Sequence, residues 1–453
     1  MTTADFKGRL SKREAFWIIL ATGILIRVLF FLWVADKPLM SDAVNYNGMS
    51  SKLLSGETFV PYWPPGLPLY LAIVHWLFGP TVIAARLAML VFYVGTSVFV
   101  YRASVLMTAS QAAGNIAIGC LAFLPASIHG SLEPLTQAPA GMCLSIIAYC
   151  LMRLESAQSR GDLLLLAGAA AYLALIRPSS LLLIGALPLY LLWRTRKWMP
   201  ALAVSAIAVV VVGSWVGYVY EKTGRVVKIN TANSANFYFG NNPYTPVYRT
   251  WWLGSHHLPP EAPAAFVEQT DRIMELDVAA QESEFSRIAT EHIRRRPDLF
   301  LLRTLNRICV YFAFDTYTGA FLIGNYGVSR FIGLAAMGAD AFIYILIAVG
   351  SILSFALPRS REASRMAFLL LGMMLLYALP YFFAFSHPNY HYPIEPLLMI
   401  LSSGLFVHVL QEKRAAVRNL VAQGRVPMVA ALVIFAFIQV EFFSIVMLHR
   451  VAV

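Results

Sequence analysis

Residues 64–80 read PPGLPLYLAIVHWLFGP, and whether this stretch crosses a membrane decides how the whole chain is threaded. Its apolar part runs for only 13 residues, follows Pro64 and Pro65 and carries His75. A spanning helix needs nearer 20 apolar residues. We read it as lying in the outer interface, and the flanking charges agree. With this stretch left out, eleven apolar runs remain, at about 16–34, 86–101, 112–128, 134–152, 163–176, 179–193, 199–218, 331–357, 366–385, 393–410 and 427–448. Alternate connections then carry Arg102; Arg153 and Arg160; Arg194, Arg196 and Lys197; Arg359, Arg361 and Arg365; and Lys413, Arg414, Arg418 and Arg425. All fall on the side of the basic amino end, with Lys7, Arg9, Lys12 and Arg13. Basic short loops stay cytoplasmic, so the opposite connections face outward. Counting 66–78 as a span would scatter these charges to both sides.

Composition sets the class. Apolar residues make up 58% of the 453 and charged ones 13%, with a mean hydropathy of +0.65; the solvent of such a chain is mostly lipid. The expected fold is an all-α polytopic membrane protein of about 11 transmembrane helices, with outer-face juxtamembrane helices and one small mixed outer loop region. The net charge of +11 is spread through short loops with no aromatic-studded basic stripe, which argues against nucleic acid. Cys120, Cys143, Cys150 and Cys309 show no metal or redox spacing. The predicted organisation is a membrane module over 1–220 with its first outer loop at 36–85, an outer loop region over 221–325, and closing helices over 326–453.

On the outward side, acids are few. Asp42 sits in PLMSDAVNYNG and Glu133 in HGSLEPLTQ, and neither run has the periodicity of a solvated helix face. The outward set also includes Arg177, the Asn-rich run KINTANSANFYFGNNPY and the loop SHPNYHYP. Charged and apolar residues alternate at helical spacing over 264–296.

In order along the chain stand SDAVNY (41–46), YWPPGLPLYLAIVHWLFGP (62–80), AARLAMLVFY (84–93), SLEPLTQ (131–137), IRPSSLL (176–182), NTANSANFYFGNNP (230–243), the helix EHIRRRPDLFLLRTLNR (291–307) and HPNYHYPIEPLL (387–398). This series resembles the polytopic GT-C superfamily glycosyltransferases that take sugar from a polyprenyl-phosphate carrier, in the protein mannosyltransferase and aminoarabinose transferase-like branch. The sequence departs from that pattern at Ala43, where a second acid is common, and at Asn389, where an Arg commonly precedes the tyrosine.

The resemblance implies a GT-C fold in a bacterial inner membrane, with the active site facing the periplasm. It implies transfer from a polyprenyl-phosphate sugar to a lipid-linked or envelope glycan acceptor such as lipopolysaccharide. Such transfer needs a base for the acceptor hydroxyl, groups that hold the leaving phosphate, and a groove for the isoprenoid. Asp42 is the expected base, with N-capping of the following helix as the plain alternative. Glu133 is a second site acid, or a helix-start residue before Pro134. Arg177, Lys228, His387, Tyr390, His391 and Tyr46 are candidates for phosphate or substrate contact, and Asn236, Asn241 and Asn242 for sugar hydroxyls. Competing readings are snorkelling for Arg177, turn chemistry for the asparagines, a wet loop end for the histidines and an interfacial belt for Tyr62 and Trp63. Lys52 reads as a surface residue. No cofactor is expected; a divalent metal is not favoured, because His256 and His257 lack a paired ligand spacing. A transporter or flippase of a lipid-linked substrate, a protein O-glycosyltransferase and a scaffold subunit are the alternatives. Paired halves and midplane charges, the marks of a transporter, are not evident.

Overall fold

Prolines and glycines divide the apolar runs into helices. The computed structural model describes residues 12–156, 159–251, 253, 262–357, 359–412 and 426–444. It is helical throughout, without a β-strand among those residues. Lys413, Arg414, Arg418, Arg425, His256 and His257 lie outside the described residues.

The chain opens with α1 (Lys12–Val34), then α2 (Asp42–Ser55) and α3 (Gly66–Phe78), before α4 (Val82–Thr108). A broken pair, α5 (Gln111–Phe123) and α6 (Pro125–Gly130), precedes α7 (Gln137–Ser156), α8 (Arg160–Ile176), α9 (Leu181–Thr195) and α10 (Trp198–Thr223). Four shorter helices follow: α11 (Ala232–Gly240), α12 (Ala264–Met274), α13 (Val278–Arg295) and α14 (Pro297–Phe312). The chain continues through α15 (Tyr317–Tyr326), α16 (Arg330–Ser354), α17 (Arg361–Phe383), a 3₁₀ segment (Pro388–Ile394), α18 (Glu395–Glu412) and α19 (Val426–Phe443).

Eight helices are long and apolar enough to cross a bilayer: α1, α4, α7, α10, α16, α17, α18 with its preceding 3₁₀ segment, and α19. The remaining expected spans correspond to α5, α8 and α9, which are shorter than that criterion, at 13, 17 and 15 residues. The decisive stretch 66–78 is indeed a 13-residue helix. It lies against α2, α4 and the C-terminal end of α8. Gly66 allows this approach, because a Cβ there would come 2.8 Å from the backbone of Leu175 and Ile176.

The main core joins α4, α5, α7, α8, α17 and α18, with residues such as Val100, Leu144, Ile147, Leu173, Leu370 and Leu397 fully or almost fully buried. One charge is built into it. Arg27 of α1 is 0% exposed and spends its guanidinium on the break between α5 and α6. Pro125 stops the α5 ladder, freeing its last carbonyls. Arg27 donates to the carbonyls of Leu121 and Ala122, both at 3.2 Å, and to Ser127 Oγ at 2.7 Å and Ser131 Oγ at 2.8 Å. It also stacks 3.4 Å from the Tyr93 ring centroid. A buried charge is tolerable only when satisfied in this way.

The segment predicted as one helix over 291–307 breaks at Arg296, because Pro297 cannot donate to the preceding turn. Beyond the break, α14 is inside-out. Arg303, Thr304, Asn306 and Arg307 are buried, whereas Leu301, Leu302 and Leu305 are 45–63% exposed. A helix with apolar residues outward and polar ones inward is solvated by lipid. The last part of the region expected as an outer loop therefore sits against the bilayer.

Candidate functional site

Asp42 enters the site at the first turn of α2. The structure corrects its capping alternative: Ser41 occupies the cap position and Asp42 is the first helical residue. Ser41 has φ 54° and ψ −139°, backbone that a serine adopts only under constraint. Its side chain lies near that of Tyr317 at the start of α15. Asp42 itself is half-buried. Its charge acts on Tyr46 of α2, Tyr62 before α3, Tyr317, and His387 and Tyr390 at the 3₁₀ segment. Elements distant in sequence thus converge on one carboxylate.

Arg177 forms the facing wall. Pro178 ends α8 and starts a short 3₁₀ turn, leaving Arg177 at the C-cap with φ −138°. Rather than snorkelling, its side chain turns inward. Nη1 donates to the Tyr381 hydroxyl at 3.2 Å, and that hydroxyl lies 2.7 Å from Ser179 Oγ. The guanidinium carbon stands 5.5 Å from the Tyr390 ring centroid. Its Nε is buried without a hydrogen-bond partner among the described residues, which leaves a cationic donor ready for an anion. Tyr46 and Tyr390 each feel the charges of both Asp42 and Arg177. Tyr46 packs 5.9 Å from the Trp63 ring. His387 has ring neighbours in Trp251, Tyr317 and Tyr390 at about 6 Å, and Nδ1 accepts the Asn389 N–H at 3.3 Å.

Glu133 is not the helix-start residue of its alternative reading. It lies in the bend before α7, which begins only at Gln137, so it does not start a helix. It is 1% exposed and paired at 2.9 Å with Arg86 of α4, itself 0% exposed. Its Oε1 also accepts from the Tyr326 hydroxyl. Burial pushes the Glu133 carboxyl up from its usual value, and the Arg86 charge and the Tyr326 and Arg86 hydrogen bonds pull it back. Arg86 in turn donates to the backbone carbonyls of Val34, Lys37 (2.8 Å) and Pro38 (3.3 Å). The pair therefore fastens the chain that leads from α1 to Asp42.

Asn241 and Asn242 fasten their loop. Asn241 Nδ2 donates to the carbonyls of Phe237 and Phe383, both at 3.0 Å, and its Oδ1 accepts from Arg307. Asn242 closes its own turn, with Oδ1 accepting from the Tyr244 and Thr245 amides at 2.8 and 3.0 Å. Both are buried, and their polar atoms are spent on protein. Asn236 is half-buried on α11. Lys228 is exposed, with Glu282 of α13 as a charged neighbour, and it does not join the Asp42 group. Lys52 pairs with Glu57 at 3.0 Å on the surface. His391 is a buried residue of the 3₁₀ segment, with Nδ1 3.0 Å from the Tyr311 carbonyl. The first outer loop and the Asn-rich stretch are joined through their backbones: the amides of Thr231 and Ala232 donate to the carbonyls of Pro61 and Tyr62 at 3.1 and 3.2 Å.

Sequence reasoning did not single out Tyr381, Ser179, Tyr317 or Arg86. For Arg86 a signal existed, since an arginine within an apolar run marks a buried partner. Among the described residues, no group of three or more His, Cys, Asp or Glu side chains is arranged to hold a metal ion.

Residues 63–218 match the model of the dolichyl-phosphate-mannose-protein mannosyltransferase family. That is a family of the GT-C superfamily. The match spans about a third of the chain, includes Arg86, Glu133 and Arg177, and begins after Asp42. It supports a membrane glycosyltransferase of the GT-C type, in keeping with the many apolar helices. No curated protein matches the chain.

Proposed function

We propose that this protein transfers a sugar from a polyprenyl-phosphate carrier to a lipid-linked or envelope glycan acceptor, at the periplasmic face of a bacterial inner membrane. The observation that carries the reading is that Tyr46 and Tyr390 each interact electrostatically with both Asp42 and Arg177, with the Arg177 guanidinium turned onto the Tyr390 ring and the Tyr381 hydroxyl. In the reaction, the Asp42 carboxylate takes the proton of the acceptor hydroxyl, and the acceptor oxygen attacks the anomeric carbon. The bond from that carbon to the phosphate oxygen breaks, and the polyprenyl phosphate leaves with its negative charge held by Arg177. Tyr381 and Ser179 orient the guanidinium through their hydrogen bonds. His387 and Tyr390 line the remaining wall. Glu133 acts through Arg86 as a positioning residue for the Asp42 loop. The lipid-facing side of α14 and the exposed apolar residues of α3 suit an isoprenoid that approaches from the bilayer.

The family match favours a second acceptor, a protein hydroxyl, as its name describes. The small outer region, without a separate peptide-binding domain, favours a glycan lipid. Purified protein with radiolabelled polyprenyl-phosphate sugars tests the reading. A transferase leaves the label in a new glycosidic bond on the acceptor. Label that only crosses sealed vesicles, still on its carrier, would make the protein a transporter.

A further inference from the structure

Behind the 3₁₀ segment lies a buried polar group that the proposed reaction does not use. His391 is 0% exposed and Glu395 1%. His391 Nδ1 sits 3.0 Å from the Tyr311 carbonyl, which can only accept, so Nδ1 carries a hydrogen. In a neutral ring Nε2 is then an acceptor, and it faces Glu395 Oε1 at 3.3 Å. Neither Glu395 oxygen nor His391 Nε2 has a hydrogen-bond partner among the described residues, as expected of an ionised carboxylate set against an acceptor nitrogen, and a proton on Glu395 would supply the missing donor. Further acids face the same space. Asp340 of α16 is 0% exposed, with one oxygen accepting the Ala126 amide at 2.7 Å and the other unpartnered. Asp315, ahead of α15, interacts electrostatically with Glu395, Asp340 and His391. Tyr344 of α16 stacks on the His391 ring at 4.2 Å, and Tyr392 completes the set. Carboxylates crowded in an apolar interior cannot all be ionised. Separated charges on His391 and Glu395 would add a desolvation cost that a shared neutral hydrogen bond avoids.

We infer that Glu395 carries a proton, donates it in a hydrogen bond to His391 Nε2, and thereby holds the 3₁₀ segment where Tyr390 covers Arg177. Glu395 is a positioning residue. Its proton fixes the imidazole tautomer, the imidazole ties the segment to the Tyr311 carbonyl of α14, and Tyr311 stacks on Tyr381, the hydroxyl partner of Arg177. Tyr390, the residue before His391, has the Arg177 guanidinium 5.5 Å from its ring centroid and feels the Asp42 charge.

Infrared spectroscopy and substitution test this. The purified parent at neutral pH should show the carbonyl band of a protonated carboxyl group, reduced in Glu395→Gln. Because an amide can donate an N–H to Nε2, Glu395→Gln should fold, and it should bind polyprenyl phosphate within about threefold of the parent, with an unchanged pH profile of binding. Glu395→Ala should bind on the order of 100-fold more weakly, the loss expected when a contact group is displaced. An unchanged carboxyl band in Glu395→Gln, or a Glu395→Gln protein that fails to fold or binds as weakly as Glu395→Ala, would overturn the inference. The binding arm rests on the proposed function and the infrared arm does not. A parent that ignores polyprenyl phosphate therefore counts against the function alone, and the infrared result still decides the inference.

Discussion

At the scale of single residues, the site depends on buried charges with few alternatives. Arg86 shows this most sharply, because it satisfies Glu133 and the carbonyls of the loop leading to Asp42 together. Removing one partner of a buried pair costs about 3–5 kcal/mol, since the other charge is left unpaired in the interior. Arg86→Met should therefore lower the thermal unfolding midpoint of the detergent-solubilised protein strongly, and Glu133→Gln, which keeps a hydrogen-bond acceptor for the guanidinium, by less. Equal losses would mean that the pairing of Arg86 with Glu133 matters and its loop contacts do not. Ser41 offers a milder probe. Glycine accepts its positive φ without strain, so Ser41→Gly should raise stability by up to about 1 kcal/mol while removing a hydroxyl near Tyr317. What the sequence showed at this scale was residue type more than residue role. Asp42, Arg177 and Tyr390 were visible as polar groups at outer helix ends, and the structure brings them together. Asn241 and Asn242 carried the same kind of signal, yet their amides are consumed by Phe383, Arg307 and their own turn, and only long-range contacts reveal that.

At the scale of elements, hydropathy located most helices because lipid demands long apolar runs with internally satisfied backbones. It was less informative where a helix is short or two-faced. A two-faced pattern does not say which face meets lipid, and α14 presents its arginines to the protein. Arg307 bonds the carbonyls of Gly240 and Phe383, and Arg303 those of Asn242 and Thr245, so α14 clamps the Asn-rich loop to the end of α17. Gly240 permits the contact, since a Cβ there would collide with the Ala384 carbonyl. Cysteine placed at Leu302 should react with a membrane-soluble maleimide and resist a water-soluble one. Rapid reaction with the water-soluble reagent would show that this face of α14 meets water.

At the scale of the whole molecule, the charge pattern and the site belong to opposite ends of the helices. Cysteines replacing Arg153 and Arg194 should be labelled from the cytoplasmic side, and cysteines replacing Lys228 and Glu57, both exposed near the site end, from the outside. A Lys228 position reached only from the cytoplasm would invert the orientation and remove the periplasmic site with it. The central claim is that Asp42 is the base of a transfer whose leaving phosphate rests on Arg177. Its most direct test compares the parent with Asp42→Asn in reconstituted membranes, measuring label transfer from a polyprenyl-phosphate sugar and, separately, binding of polyprenyl phosphate. The account predicts that Asp42→Asn folds and binds the carrier normally while transfer falls on the order of 100- to 10,000-fold, because the amide keeps the shape and loses the basicity. Transfer within about threefold of the parent, from protein that binds the carrier, would contradict it.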